Sequence, residues 1–519
     1  MVGYDWIELN EPKGYRRLED VLDDVFEPRA IAERLEDEVT DAVKSVLVEH
    51  GYVDKDYRST LYSFYAKKGR AYRRDCVRLH FFDGLVEFDE SRTDLVCADG
   101  KPGNHYYGYI VLRPTMIATL GRSVLAPGIR VGAGGRAIQS EHTVNVLGYS
   151  LSVWGFPSME QPADIAVCAH VSCWAILRYY SEKYPHHREY LIYDMARLAS
   201  AFDPGGLVPS LGLTVREAER VFQAAGCYPL VVAKKRAKEK EEEEEGGGEA
   251  PEDVGFYEEL LAYLESGFPL FVEMRNRLHA VVLVGRCWRE RSIVPTRDPS
   301  HAWEQVDTLL MVDDNRLPYR SVPASASSSL AGSPGYSGMD FDRFIVALPE
   351  KIHFPAPAVG ALSDRLAVVL TTGFGIEEES VRIRRHFMTT VAELRREVRE
   401  QASQLGDVLV GMFMRLNSAQ YVWVVEFGSQ EHWDRGTVAG RAIVDATASR
   451  QDPVATLLLH DERLAISFDR SPGGRNHRPV PLRRRRMDSL PRLEVNLRQV
   501  VRHDADGGSG GRSETGGGA

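Results

Sequence analysis

The stretch CAHVSCWAILRYYSEKY, residues 168–184, decides how the middle of the chain folds. Its residues are largely apolar and helix-forming. The preceding segment GFPSMEQPADIAV, residues 155–167, is poor in helix formers. This contrast predicts a helix of about three turns whose first turn contains Cys168.

The segments after this helix move from helix patterns to strand patterns. Their order is the helix TVREAERVFQAAG (214–226), the strand YPLVVA (228–233), the helix YEELLAYLESG (257–267), and the strands PLFVEM (269–274), HAVVLVGR (279–286) and TLLMVDD (308–314). Because the helices precede most of the strands, we expect an α+β architecture in which the first helix packs against an antiparallel sheet.

Regions on either side of this middle segment have their own mixed patterns. Residues 1–150 begin with helical periodicity over 30–51 and continue with strand-like runs such as CVRLHFF, and residues 356–503 combine a strand pattern at 366–373 with a helix pattern at 389–406. The predicted organisation is therefore an α+β unit over 1–150, a central domain over 151–355 and a second α+β unit over 356–503.

Three segments have compositions that do not support a packed core. They are 234–253, rich in Glu and Lys; 321–338, rich in Ser, Ala, Pro and Gly; and the tail 504–519. We interpret the first two as disordered inserts in surface loops of the central domain, because chains tolerate such insertions at little cost in stability.

Composition excludes several functional classes. The formal net charge of -11 is spread along the chain, which argues against a nucleic-acid partner, and the run Arg483–Arg486 beside prolines is interpreted as a solvated linker. No stretch reaches the roughly 18 apolar residues of a membrane span, and no signal peptide is evident. Six cysteines in 519 residues are too sparse for a disulfide framework. We therefore expect a cytoplasmic protein with no membrane partner.

Cys168 is the candidate nucleophile. A thiol attacks as the thiolate, which is favoured at the amino end of a helix, where backbone N–H groups point toward it. Cys173 lies on the same helix but points about 140° away from Cys168, so we expect it to be a buried core residue. His170 is rotated by about 200° from Cys168 and cannot serve as its base.

His279 is the candidate base, because it opens an apolar strand from which an imidazole can reach a helix amino end. The end of the next strand supplies Asp313 and Asp314 to orient it. Alternation along a strand predicts that these two carboxylates point opposite ways, so that one bonds the histidine. Gln161 is the candidate oxyanion donor upstream of the cysteine.

These residues occur in an order that resembles a known family. The series comprises Gln161, then CAHVSCWAILRYY (168–180), GLTVRE (212–217), ESGFPL (265–270), HAVVLVG (279–285) and VDD (312–314). It is similar to the papain-like cysteine peptidases of the double-glycine-leader (bacteriocin-processing) type and their stand-alone relatives, over about 200 residues.

The resemblance implies a Cys-His-Asp triad with a glutamine in the oxyanion hole. It carries over to Cys168, His279, Asp313 and Gln161, with Asp314 as the alternative acid. Ala169 stands where the family usually has glycine, and Gln161 lies one residue farther from the cysteine than usual. No phosphate-binding loop is present, so a transporter-linked role is not implied.

The resulting functional hypothesis is a thiol hydrolase that cleaves a peptide or isopeptide bond through an acyl-enzyme. Two alternatives stay open: an acyl or amide transferase on the same triad, and an inactive papain-like scaffold used for recognition. The expected partner is a protein or peptide substrate. We expect no cofactor and no metal, since Cys76 and His80 lie on a strand without a second ligand pair. The sequence does not predict the oligomeric state.

Overall fold

The computed structural model describes residues 3–500 except 12, 24, 68–71, 98–99, 116–118, 131–134, 162–167, 201–211, 236–252, 295–298, 326–334, 353, 450–454, 469–476 and 483–489. Most of the predicted acidic insert, the whole predicted tail and the Arg483–Arg486 run lie outside the described residues. Within the described part of the chain, no helix is both long enough and apolar enough to cross a membrane.

An antiparallel sheet of seven strands forms the amino-terminal part of the protein. In spatial order its strands are Tyr4–Glu8, Ser45–Tyr52, Cys76–Phe82, Tyr106–Leu112, Leu120–Leu125, Tyr149–Ser158 and Ser140–Val146. The helices Gly14–Val21 and Pro28–Glu38 pack against it. The predicted helical pattern over 30–51 is therefore wrong in its second half: Ser45–Tyr52 pairs with a strand on each side, and this tertiary pairing overrides the local periodicity.

The central sheet carries the candidate site. Its spatial order is Tyr228–Ala233, Arg343–Leu348, Leu270–Met274, His279–Trp288, Val306–Val312 and Arg320–Pro323, and all these neighbours are antiparallel. The strand His279–Trp288 also pairs with Arg136–Ala137, which in turn pairs with Arg498–Gln499. The central sheet thus recruits short pieces from both flanking regions.

A third sheet occupies the carboxyl-terminal part. Its order is Ser300–His301, Ile383–Thr390, Tyr421–Gly428, Gly440–Asp445, Thr456–Asp461, Leu464–Phe468 and His477–Pro481, with only the first pair parallel. Residues 366–373, predicted as a strand, lie instead in the helix Ala356–Phe374. A short apolar run fits either structure, and here the helical residues on both sides decide it.

The remaining helices connect and cover these sheets. They are Lys55–Ser63, Cys168–Lys183, Asp194–Ala199, Val215–Ala224, Val254–Glu265, Val391–Glu400, Ala402–Leu405, Asp407–Met414 and Gln430–Asp434. Short 3-10 turns lie at Tyr65–Lys67, Pro102–His105, Pro127–Ile129, Arg275–Arg277, Ala302–Gln305, Gly338–Asp340 and Glu378–Val381. Two further strand pairs are Val86–Asp89 with Asp94–Cys97 and Thr437–Val438 with Leu490–Pro491.

The helix Cys168–Lys183, here called the cysteine helix, is packed between the amino-terminal and central sheets. Its side chains are buried on nearly every face, including Trp174, Tyr179 and Tyr180. A helix buried on nearly every face needs no continuous polar stripe, which explains why most of its sequence is apolar. The mixed α/β organisation with mostly antiparallel sheets agrees with the coarse prediction.

The boundaries between the three parts are less sharp than the sequence suggested. Strand Tyr149–Ser158 crosses the predicted boundary at residue 150, and Ser300–His301 of the central region joins the third sheet. The segment 321–338, predicted to be a disordered insert, is ordered at both ends: its first residues pair with strand Val306–Val312, and Tyr336 is buried. Composition missed these tertiary contacts.

A buried ionic cluster joins the central and third sheets. Glu265 Oε1 pairs with Arg286 Nε at 2.7 Å, and Glu265 also pairs with Arg385. Arg385 Nη1 lies 2.9 Å from Glu426 Oε2, and Glu494 Oε2 lies 2.7 Å from Arg286 Nη2. Because every carboxylate in the cluster has a cationic partner, the charges compensate each other in a setting where an unpaired charge would be costly.

Candidate active site

Cys168 is the first residue of the cysteine helix, as the sequence predicted. Its side chain is half-buried, whereas Cys173, one turn further along, is fully buried. Burial raises the pKa of the Cys173 thiol well above its ordinary value, and the nearby Cys168 adds to this shift. Cys173 is thus placed in the core and Cys168 at the surface of the helix start.

His279 begins the strand His279–Trp288 and turns its ring toward the end of the neighbouring strand. Its Nε2 lies 3.1 Å from Asp313 Oδ1. With Nε2 engaged by the carboxylate, Nδ1 is the ring nitrogen left to face a thiol. This is the arrangement a general base needs, since one nitrogen is oriented and the other is available for proton transfer.

The pKa of His279 is raised to about 10. Burial on its own would lower the pKa, but the hydrogen bonds with Asp313 and Cys168 and the charges of the two aspartates outweigh that effect. His279 is therefore an imidazolium at neutral pH. A cation in hydrogen-bonding contact with Cys168 is the environment in which a thiol is activated as a nucleophile.

Asp313 is buried and accepts hydrogen bonds at both oxygens. Besides His279, its Oδ1 accepts from the Asn315 backbone N–H and side-chain Nδ2, each at 3.1 Å, and its Oδ2 accepts from the Tyr336 hydroxyl at 2.7 Å. Burial would raise the Asp313 pKa, yet the contacts with His279, Tyr336 and Asn315 hold it well below its usual range. Asp313 is thus a fixed anion behind the imidazole.

Asp314 does not point away from the histidine, contrary to the prediction. Its Oδ1 lies 3.9 Å from His279 Nε2, because the strand ends at Val312 and the alternation of side chains no longer applies. Burial and the neighbouring Asp313 charge raise the pKa of Asp314 to about 7, against the lowering effect of His279. Both carboxyl groups therefore approach one imidazole, and Asp313 is the one within hydrogen-bonding distance.

Tyr336 is a site residue that the sequence reading missed. It lies in the segment predicted to be disordered, yet its ring is buried and its hydroxyl contacts the acid. The Arg277 guanidinium lies 5.8 Å from its ring centre and donates to the Gly335 carbonyl at 2.6 Å. A single large aromatic residue within a run of Ser, Ala, Pro and Gly was the available signal.

Gln161 lies on the acid side of the site. Its backbone N–H donates to the Asp314 carbonyl at 3.0 Å, and its side-chain Nε2 donates to Asn315 Oδ1 at 3.3 Å. Gln161 thus joins the hydrogen-bonded chain that includes Asn315, Asp313 and His279. Its predicted oxyanion role stays a prediction, since residues 162–167 before Cys168 lie outside the described part of the chain.

A cleft of about 920 Å³ opens beside Cys168 and His279, which both line it. Its apolar lining residues are Leu213, Val215, Val231, Phe271, Met274, Leu278 and Ala280. Its charged lining residues are Arg216, Glu219, Glu273, Arg275 and Arg343. The start of helix Val215–Ala224 forms one wall, and strands of the central sheet form another. This volume lies within the range of about 300–1,000 Å³ that is usual for ligand-binding clefts.

The described residues also contain one group with the donors for a metal ion. His279, Asp313 and Asp314 each place a ligand atom within 4.8 Å of the others. A metal here would have to displace the 3.1 Å hydrogen bond that already joins His279 Nε2 and Asp313 Oδ1. The arrangement therefore fits a hydrogen-bonded triad better than a metal centre.

Comparisons with known proteins give no further guide to this site. No protein-family model, no curated protein and no solved structure matches the chain. The geometry around Cys168 is therefore the basis on which a function can be inferred.

Proposed function

We propose that the protein is a papain-like thiol hydrolase, acting as a cysteine peptidase with Cys168, His279 and Asp313 as its triad. The observation that carries this proposal is the position of His279. Its Nε2 is bonded to a buried aspartate, and its ring shares a 920 Å³ cleft with a cysteine at a helix amino end. Enzymes that catalyse acyl transfer through a covalent intermediate use this combination: a nucleophile, a base beside it, and a carboxylate that orients the base.

In the first step, the Cys168 thiolate, paired with the His279 imidazolium, attacks the carbonyl carbon of the scissile amide. The C–S bond forms, and the carbonyl oxygen takes the electron pair as an oxyanion. The His279 imidazolium then gives its proton to the leaving nitrogen, the C–N bond breaks and an amine departs. The product is a thioester on Cys168 and a neutral imidazole.

In the second step, His279 accepts a proton instead of giving one. His279 removes a proton from water as the water oxygen attacks the thioester carbonyl, and the C–S bond breaks to release a carboxylic acid. The sulfur and the protonated imidazole return to their starting state. Asp313 keeps its charge throughout and holds the ring in place. Gln161 is proposed as a donor to the oxyanion in both steps.

The proposed substrates are proteins or peptides, since the cleft combines apolar walls with charged groups, as apolar and charged peptide side chains would require. We also propose a cytoplasmic location. None of the six cysteines forms a disulfide, as expected of a protein kept in a reducing compartment.

Alkylation tests the proposal directly. Iodoacetamide at about pH 6–7 should modify Cys168 faster than the other five cysteines, because Cys168 lies in hydrogen-bonding contact with the His279 imidazolium. Mass spectrometry of the labelled peptides measures how fast each cysteine is modified. Replacing His279→Ala should slow labelling of Cys168, whereas Cys173→Ala should leave it unchanged and lower thermal stability through a small cavity.

Substrates can then be sought by comparing wild type with Cys168→Ala in cell lysate. New peptide amino termini that appear only with wild type would identify cleavage. New amide linkages instead of new termini would identify an acyl transferase. If no cysteine reacts preferentially in the alkylation experiment, the hydrolase proposal is wrong and a recognition scaffold is the better description.

A further inference from the structure

Leu278, the residue before the catalytic base, has an unusual backbone conformation. Its φ of 49° and ψ of 42° place it in the left-handed region, which leucine rarely adopts and which glycine or asparagine occupies more easily. It ends the four-residue turn between strands Leu270–Met274 and His279–Trp288. Residues in this region persist only where the surroundings fix them, and they are often found at functional sites.

The surroundings of this turn are indeed fixed. The Leu278 backbone N–H donates to the Arg275 carbonyl at 3.0 Å, and the Arg275 N–H donates to Asp342 Oδ2 at 2.7 Å. Arg277 is tied to the Gly335 carbonyl. These contacts hold the turn before Leu278, and the pairing of His279 with Met274 holds the chain after it, so the costly conformation is maintained.

The Leu278 side chain is not buried in the folded protein, so packing does not offset the cost of this conformation. It is 90% exposed, the highest value among the exposed large apolar side chains of the described residues. Leu147 is the useful comparison, because it has the same left-handed conformation, with φ of 50°, in a hairpin turn of the amino-terminal sheet. Leu147, however, packs against the hydrophobic core. Leu278 has no comparable packing to justify its presence.

Leu278 does line the cleft that contains Cys168 and His279. Its neighbours in that cleft include Met274 and Ala280, so it extends an apolar wall beyond the protein surface. An apolar side chain held at the edge of a reaction cleft becomes buried only when something apolar lies against it, and burial of such a pair is favourable.

We propose that Leu278 is a specificity-determining residue that contacts a bulky apolar side chain of the peptide substrate close to the scissile bond. This inference rests on the proposed function and specifies its substrate class. The strained turn presents the leucine next to His279, so an apolar substrate residue packed on it is fixed near the attacking sulfur. Peptides with Leu, Met or Phe at that position are the preferred substrates.

The test uses thiol-reactive probes of graded size on the full-length protein. The probes are iodoacetamide and alkyne-tagged dipeptide vinyl sulfones in which either residue is leucine or serine. Wild type should react fastest with a leucine-containing probe. Leu278→Asn, which tolerates the left-handed conformation, should slow that reaction about tenfold and change the all-serine and iodoacetamide rates by less than about twofold. Leu278→Met should retain the preference.

Stability supplies a second readout. Leu278→Gly and Leu278→Asn should keep or raise the midpoint of thermal unfolding by about 1–2 °C, because they relieve strain and remove no packing. Leu147→Asn is the control, since it relieves the same strain away from the cleft and should leave every probe rate unchanged.

The possible outcomes of the probe experiment distinguish between a wrong substrate class, a wrong role for Leu278 and a wrong hydrolase proposal. If Leu278→Asn slows all probes equally, the residue positions His279 and the substrate class is wrong. If wild type reacts equally with leucine and serine probes, the inference is overturned while the triad stands. If iodoacetamide does not modify Cys168 faster than the other cysteines of the wild type, the hydrolase proposal is wrong, and this inference is wrong as well.

Discussion

The Tyr336 hydroxyl donates a hydrogen bond to Asp313 Oδ2 at 2.7 Å, on the opposite side of the carboxylate from His279. This contact fixes the carboxylate between two partners. The orientation of the imidazole is therefore determined by a residue 23 positions beyond the acid in sequence. In the proposed reaction Tyr336 would be a positioning residue, because its hydroxyl contacts Asp313.

Removing the Tyr336 hydroxyl should loosen the triad without unfolding the protein. In Tyr336→Phe the Asp313 carboxylate loses one of its donors, so its pKa rises and its orientation toward His279 is less fixed. We expect Cys168 alkylation to slow about tenfold, since small misplacements of reacting groups have large effects on rate. The His279 Nε2–H resonance in a histidine-labelled sample should shift or broaden.

Tyr180→Phe provides the matched control for that change. Tyr180 is also buried, and its hydroxyl donates to the Ala347 carbonyl at 2.6 Å, away from the triad. It should lose some stability and leave the His279 resonance unmoved. An unchanged resonance in Tyr336→Phe would mean that the tyrosine serves packing alone.

The two aspartates should differ strongly in their effect on the rate at which Cys168 reacts. Asp313→Asn removes the carboxylate that is hydrogen-bonded to His279 and favours the wrong tautomer, so the rate with a leucine vinyl sulfone should fall by orders of magnitude. Asp314→Asn should reduce it modestly, because its oxygen is 3.9 Å from the ring nitrogen. The opposite ranking would make Asp314 the orienting acid.

Asp314 should also leave a signature in the pH dependence of stability. Its pKa in the folded protein, about 7, lies above the ordinary value of 3.8. A raised pKa contributes stability that is fully present below the unfolded value and is lost as the pH rises through the folded value. The free energy of unfolding attributable to Asp314 should thus decline between about pH 4 and 7.

Asp314→Asn removes this titration, so the difference in unfolding free energy between variant and wild type should shift in favour of the variant from pH 4.5 to 7.5. The expected change is on the order of 2 kcal/mol. Urea unfolding at several pH values measures it. A difference that does not vary with pH would show that Asp314 is ionised throughout.

The buried ionic cluster makes a prediction about the link between sheets. Glu265→Gln leaves Arg286 and Arg385 buried with a neutral partner, and breaking a buried pair in this way costs about 3–5 kcal/mol of unfolding free energy. The exposed pair of Glu431 and Arg435 is the control, and Glu431→Gln should change stability by less than about 0.5 kcal/mol. Equal effects would mean that the cluster is solvated.

Local sequence signals predicted the elements that carry the site. The helix beginning at Cys168 and the strand beginning at His279 lie where the contrast between apolar runs and their flanks placed them. Cys173 is buried as expected from helical geometry. These predictions depended only on residues adjacent in sequence, and for such residues periodicity is informative.

The parts that could not be predicted depend on distant contacts. The approach of both Asp313 and Asp314 to one ring follows from the strand ending at Val312, which no periodicity marks. Tyr336 lies in a segment whose composition resembles a loop, although its hydroxyl has a specific tertiary partner. The same limitation applies to the strand over 45–52, whose pairing on both sides overrode a helical pattern.

The two-residue strands Arg136–Ala137 and Arg498–Gln499 have a consequence for synthesis on the ribosome. The strand that begins with His279 pairs with Arg136–Ala137. Arg136–Ala137 in turn pairs with Arg498–Gln499 along its other edge. Translation proceeds at roughly 5–20 residues per second, so the nascent polypeptide carries His279 and Asp313 for some tens of seconds before residue 498 is made. The sheet that holds His279 thus reaches its final form late in translation, and an emerging chain contains Cys168 before it has the full framework around that residue.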